Sequence, residues 1–173
     1  MKTAFENAKG ELFELNRELL DQGIEASRKS PRKRMVLPVH REQEAVVQRL
    51  YNFLQPGTYI RPHLHPRKFA SESMFLLQGS ICLFLFDDEG KIREYRYLEA
   101  GSANCMVDII ANVWHSFIVL EPDTVLFEVK RGPYDTELDK TFAEWAPEEF
   151  SREAGQLLSK WEKQYSNKNQ NPE

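Results

Sequence analysis

The apolar positions change period twice along the chain. Phe5, Ala8, Leu12, Leu15 and Leu19 recur at helical spacing with charged residues between them, which predicts an amphipathic helix over 4–22, stopped at Gly23. From Arg34 to about Lys130 the period shortens to that of strands. Val47–Leu54, Ser73–Leu77, Ser80–Phe86, Lys91–Tyr97, Asn104–Ile109, Trp114–Leu120 and Thr124–Lys130 each read as one, with turn signals at Pro56-Gly57, Gly79, Asp87–Gly90, Ala100-Gly101 and Glu121–Asp123. Helical spacing then returns. Pro147 opens a second amphipathic helix carrying Phe150, Ala154, Leu157, Leu158, Trp161 and Tyr165 on one side, and the polar tail from Ser166 is expected to fray.

Many short strands with a turn about every ten residues predict a β-sandwich or barrel. The expected layout is an N-terminal helix and basic linker over 1–33, a barrel over 34–146 and a C-terminal helix and tail over 147–173, all within one globular unit. The large apolar residues of the helices, Trp161 among them, suggest packing on the barrel exterior or across a homodimer interface.

A formal net charge of −4 gives no general attraction to nucleic acid or to an anionic membrane. The local exception, Arg28–Arg34, reads either as a solvated linker or as a seat for an anion. Cys82 and Cys105 sit in apolar stretches without a CxxC pattern, which suits core thiols in a reducing compartment. With no secretory signal pattern and no apolar run of spanning length, the expected location is the cytoplasm.

The chemistry concentrates between Gly57 and Gly79. His63 and His65 are two residues apart, so an extended backbone projects both imidazoles from one face, and Glu72 follows within a hairpin's reach. His115, just after a turn at Asn112, supplies a third imidazole. Three neutral nitrogens and a carboxylate suit one divalent transition ion, whether Zn, Fe, Mn or Ni. The competing readings are loop histidines, a surface carboxylate paired with Arg67 or Lys68, and a buried His115 donating to a backbone carbonyl. His40 has no partner spacing and reads as structural or pocket-lining.

The segment from Gly57 through His63, His65 and Glu72 to Gly79 resembles the first cupin motif, and Gly101 to His115 resembles the second. The match extends to the WbuC family of cupin-fold metalloproteins through Val47–Asn52, Pro56–Phe69, Phe86–Gly90, Phe127–Tyr134 and Asp139–Glu148. The resemblance implies a cupin (double-stranded β-helix, jelly-roll) barrel with flanking helices, a metal held by His63, His65, Glu72 and His115, and an association with surface-polysaccharide biosynthesis. Three positions depart from it. The gap from His65 to Glu72 is longer by two residues, with Ala70-Ser71 where the Glu is expected. Ile110-Ala-Asn112 replaces Pro-x-Gly, which Asn tolerates in a left-handed turn. Val119 stands where many cupins place Asn.

Arg61 shares strand phase with His63 and His65, and Arg49, Lys130 and Tyr134 are further candidates to meet a substrate, with exterior charges or a rim tyrosine as the alternative. Two function classes follow. One is a metal-dependent enzyme, an isomerase, epimerase or oxygenase, acting on a small polar or sugar-like molecule. The other is a cupin that binds or senses a small molecule without turnover.

Overall fold

The computed structural model describes residues 3–135 and 137–166. Ten strands build two five-stranded antiparallel sheets. The first has the order β1-β2-β9-β4-β7, formed by Arg34–Pro38, Val47–Leu54, Thr124–Arg131, Glu72–Gln78 and Met106–Ile109. The second has the order β10-β3-β8-β5-β6, formed by Thr141–Phe142, His63–Leu64, His115–Val119, Ser80–Phe86 and Ile92–Glu99. The strands read from the alternation of residues are present, two with the expected bounds and the others with ends moved by one or two positions. Three more, β1, β3 and β10, complete the sheets.

The period of two decides what faces inward. Leu54, Met74, Leu76, Ile81, Leu83, Phe117, Val119 and Leu126 pack together between the sheets. Followed toward the other end, the same inward phase turns polar on β4, β8 and β9. Met74 gives way to Glu72, Phe117 to His115, and Leu126 to Glu128 and Lys130. The interior is thus an apolar plug at one end and a nest of titratable side chains at the other.

The helices cover the outer faces. Helix α1, Arg17–Lys29, is capped by Asn16, whose side chain accepts the Leu19 N–H at 3.0 Å, and its last turn carries Arg28 and Lys29 where the helix dipole favours cations. This corrects the reading of a helix over 4–22 ended by Gly23. Residues before Asn16 find a better partner in the sheet edge, where the Phe5 N–H donates to the Val36 carbonyl at 2.8 Å and the Ala8 N–H to that of Pro38 at 3.1 Å. Gly23 lies inside α1 because the helix packs there on Phe53. A Cβ at Gly23 would stand 2.3 Å from that ring. Ile24 joins Leu37, Phe53 and Val125 in the layer beneath.

Helix α2, Arg152–Tyr165, begins later than Pro147 and is capped by Ser151. Ala154, Leu158 and Trp161 pack on Cys82, Phe84, Phe86 and Ile118, the outer phase of the second sheet. Phe150, read as part of this apolar side, instead lies before the helix in a left-handed conformation and is exposed. The expected fraying of the tail concerns residues 167–173, which lie outside the described residues. Among the described residues no helix is long and apolar enough to cross a membrane.

The basic segment is tied down by carboxylates. Arg28 pairs with Asp123, while Arg32 at 2.9 Å and Arg34 at 2.8 Å converge on Glu149. Arg34 is buried, and burial together with Arg32 pushes its pKa down to about 10. Both cysteines are thiols, and burial raises that of Cys82 to about 12.

Candidate metal centre

His63 and His115 are direct cross-strand neighbours on β3 and β8, so the ladder itself sets their imidazoles side by side, with ring centroids 4.5 Å apart. Glu72 opens β4 in the facing sheet, opposite Lys130 on one side and Ile109 on the other. The long connection from His65 to Glu72 closes on itself: the Ala70 N–H donates to the Arg67 carbonyl at 2.9 Å, and Phe69 takes a left-handed φ of 61° with its ring in solvent. The two extra residues are absorbed in that turn, and Glu72 still arrives at the start of its strand. Asn112 also adopts the left-handed conformation, φ 63°, and its N–H donates to the His65 carbonyl at 3.0 Å.

One ligand-type atom from each of His63, His65, Glu72 and His115 lies within 4.8 Å of all the others, and all four residues are buried. Each histidine is held by its Nδ1. That of His63 lies 2.9 Å from the Arg61 carbonyl, that of His115 lies 2.8 Å from the Val113 carbonyl, and that of His65 faces the Asp139 carbonyl. A carbonyl oxygen only accepts, so every Nδ1 carries the proton and the Nε2 atoms are left to point inward. The Nε2 of His115 then stands 2.9 Å from Glu72 Oε2, and that of His65 stands 3.4 Å from the same oxygen, without a hydrogen-bond partner. Unprotonated nitrogens facing a carboxylate oxygen repel it. A cation between them, a proton or a metal ion, removes the conflict.

The shifts of the individual groups follow from this arrangement. Burial, with Lys140 and His115 nearby, holds His63 well below the ordinary histidine range. For His65 burial works against protonation, but contact with Glu72 outweighs it and raises the pKa. Glu72 is opposed by burial in the same way, and its contacts to His115 and His65 hold it well below the ordinary carboxylate range. The donor set fits a divalent ion: oriented nitrogens, an ionised carboxylate and backbone carbonyls fixing each ring from behind.

A further polar group adjoins the cluster, of which only Lys130 was anticipated. Asn52 donates to Glu128 at 2.9 Å, and Lys130 reaches Asp139 at 2.7 Å and Glu128 at 3.7 Å. Burial and the neighbouring Glu72 raise Glu128 to about 7, while the carboxylates of Glu128 and Asp139 outweigh burial and raise Lys130. The period-two reading of β9 could have found Glu128, since it shares the inward phase of Leu126 and Lys130. Asp139 and Lys140 come from a loop whose course no local pattern reveals.

The other expected pocket residues stand apart from the four. Arg49 shares the outward phase of Tyr51 and Phe53 on β2 and is exposed. Arg61 is half-buried beside the cluster, but its guanidinium donates to the Ala143 carbonyl at 3.2 Å and lies 5.2 Å from the Phe142 ring; its carbonyl is what meets His63. Tyr134 is exposed and bonded through its backbone to Gln43. His40 is buried outside the cluster, with Nδ1 at 2.9 Å from the Arg49 carbonyl, where it joins the end of β1 to β2. A cleft of about 390 Å³ opens between the β6 and β7 edges. Its walls include Leu85 and Ile109, the cross-strand neighbours of His115 and Glu72.

Among solved structures the chain is similar to an oxalate oxidase in complex with the substrate analogue glycolate, at 16% identity and a TM-score of 0.50, over 66% of this chain and 57% of that one. The fold is that of a cupin. Two further likenesses are to KdgF from Halomonas sp. (20% identity, TM-score 0.48, 63% of this chain and 86% of that one) and to oxalate decarboxylase from Bacillus subtilis at pH 4.6 (16%, 0.48, 63% and 27%). The chain spans little more than half the length of the oxalate oxidase chain it matches. Residues 15–98 match a family described as Domain of unknown function (DUF6016), a span that holds His63, His65 and Glu72 but not His115. No curated protein matches the chain.

Proposed function

We propose that this cupin binds one divalent transition metal through the Nε2 atoms of His63, His65 and His115 and the carboxylate of Glu72, and that it acts on a small polar molecule held beside the ion. The observation that carries the reading is the common locking of three Nδ1 atoms on backbone carbonyls, with the buried His65 Nε2 left without a partner. Buried polar atoms without partners are rare in proteins, and one that stands among two further imidazoles and a carboxylate calls for an ion. A metal there supplies Lewis-acid chemistry and lowers the pKa of bound water.

The chain's own residues then divide the work. Glu72 compensates charge. Asp139 orients His65 through its carbonyl and Lys130 through its carboxylate. Glu128, a second carboxylate beside Glu72 and 3.7 Å from Lys130, is placed to hold or release a proton. The resemblance to the WbuC family supports a sugar-like substrate linked to surface polysaccharide, and a homodimer remains part of the proposal.

The test is elemental analysis of protein purified without added metal. About one ion per chain is expected, and loss of most of it in His63→Ala and in His115→Ala. Wild-type protein that carries no ion, and takes up neither Zn, Mn, Fe nor Ni on dialysis, ends the reading.

A further inference from the structure

Lys130 was the lysine expected to meet a ligand, yet its ammonium is already engaged by Asp139 at 2.7 Å and Glu128 at 3.7 Å. The other charged groups beside the cluster also have polar partners, Arg61 through the Ala143 carbonyl. Glu72 lies against His115 and His65, and Glu128 accepts from Asn52.

Lys140 is the exception. It leads into β10, where Thr141 pairs with Leu64 and Phe142 with His63. Two residues before Phe142, it lies on the same side of the extended chain, and the Phe142 ring is 6.2 Å from that of His63. Lys140 is half-buried, and among the described residues no hydrogen bond or ion pair joins its Nζ. Extended by one residue, the antiparallel pairing of β10 with β3 sets Lys140 beside His65. Its Nζ is not sealed from solvent, so the ammonium is open to an anion that enters beside the cluster. With a divalent ion on the four ligands, three carboxylates face two lysines and the metal, which leaves a net positive charge.

We propose that Lys140 anchors the ligand of this site, and that the ligand is a small anion whose carboxylate or phosphate group pairs with the Lys140 ammonium beside the ion. This rests on the metal reading above and adds a substrate class to it. Lys140 is on this account a binding residue, contributing a charge-assisted hydrogen bond of the kind Lys130 already makes inside the protein.

The experiment uses full-length protein loaded with cobalt(II), its visible spectrum titrated with acetate, oxalate, inorganic phosphate and, as a neutral control, glycerol. Cobalt stoichiometry is measured for every variant. At least one anion is expected to shift the spectrum saturably while glycerol does not, and the responding anion tells a carboxylate ligand from a phosphate. Lys140→Gln should weaken that binding by about tenfold or more, the scale of a lost charged hydrogen bond, with cobalt stoichiometry unchanged. Lys140→Arg should stay within about threefold of wild type. Equal anion affinity in Lys140→Gln, no response of the wild type to any anion, or an equal response to glycerol overturns the anchor while the metal reading stands on its stoichiometry. A wild type that takes up no cobalt overturns both.

Discussion

Asn112 shows how one residue's backbone preference reaches the site. Its left-handed conformation turns the chain between β7 and β8, aiming its N–H at the His65 carbonyl just before His115. Asparagine enters that region at low cost, glycine at none, and alanine pays about 1 kcal/mol or more. Asn112→Ala is therefore expected to lower stability by about 1 kcal/mol in chemical denaturation, and Asn112→Gly to stay within about 0.5 kcal/mol of wild type. Equal stability of all three would show that the turn has no conformational strain to relieve. At this scale much of the site was legible. The His-x-His spacing, the carboxylate and the later histidine are local patterns, and they name the four residues that the structure brings together. Asp139 and Lys140 were not, because their place depends on a loop returning to β3 from more than seventy positions away.

Among the elements, the connection between α1 and β1 is pinned to the approach to α2 by one carboxylate. Burial opposes ionisation of Glu149, but Arg32 and Arg34 outweigh it and hold its pKa below the ordinary value. The sign is that of a depressed acid. Its stabilisation is full above the unfolded carboxylate value of about 4.3 and is lost as pH falls through the lower folded value. Glu149→Gln should therefore melt below wild type at neutral pH, by about 1–2 kcal/mol after allowance for partial exposure. The gap should close on acidification. A gap independent of pH would assign the effect to packing. The elements themselves were legible where both faces of a strand pack, as in Val47–Leu54 and Ser80–Phe86, whose bounds coincide with the expected ones. They were not where backbone pairing competes with helical spacing. Residues 5–8 carry a helix's periodicity and pair with β1 instead. Two-residue strands such as β3 and β10 are too short to show a period at all.

At the level of the whole molecule, the site spans both sheets, with Glu72 from one and His63 and His115 from the other. A ligand held across two layers stabilises the folded state by mass action, about 2.7 kcal/mol when it is present at a hundred times its dissociation constant. For a chain of this length that raises the melting temperature by roughly 5–10 °C. The shift should appear with the bound metal, reverse with a chelator, and vanish in His115→Ala. Absence of any shift in wild-type protein that demonstrably holds the ion would place the cluster outside the cooperative fold.

The three imidazoles are fixed from unequal distances along the chain. His63 and His115 are set by carbonyls two residues upstream of themselves, Arg61 and Val113, so each ring is oriented as soon as its own strand is laid down. His65 is set by Asp139, which leaves the ribosome after all four ligand residues have emerged. Ripening of the site is thus tied to the last stretch of barrel synthesis. A chain halted before residue 139 would hold every donor atom and still lack the carbonyl that aligns the His65 ring.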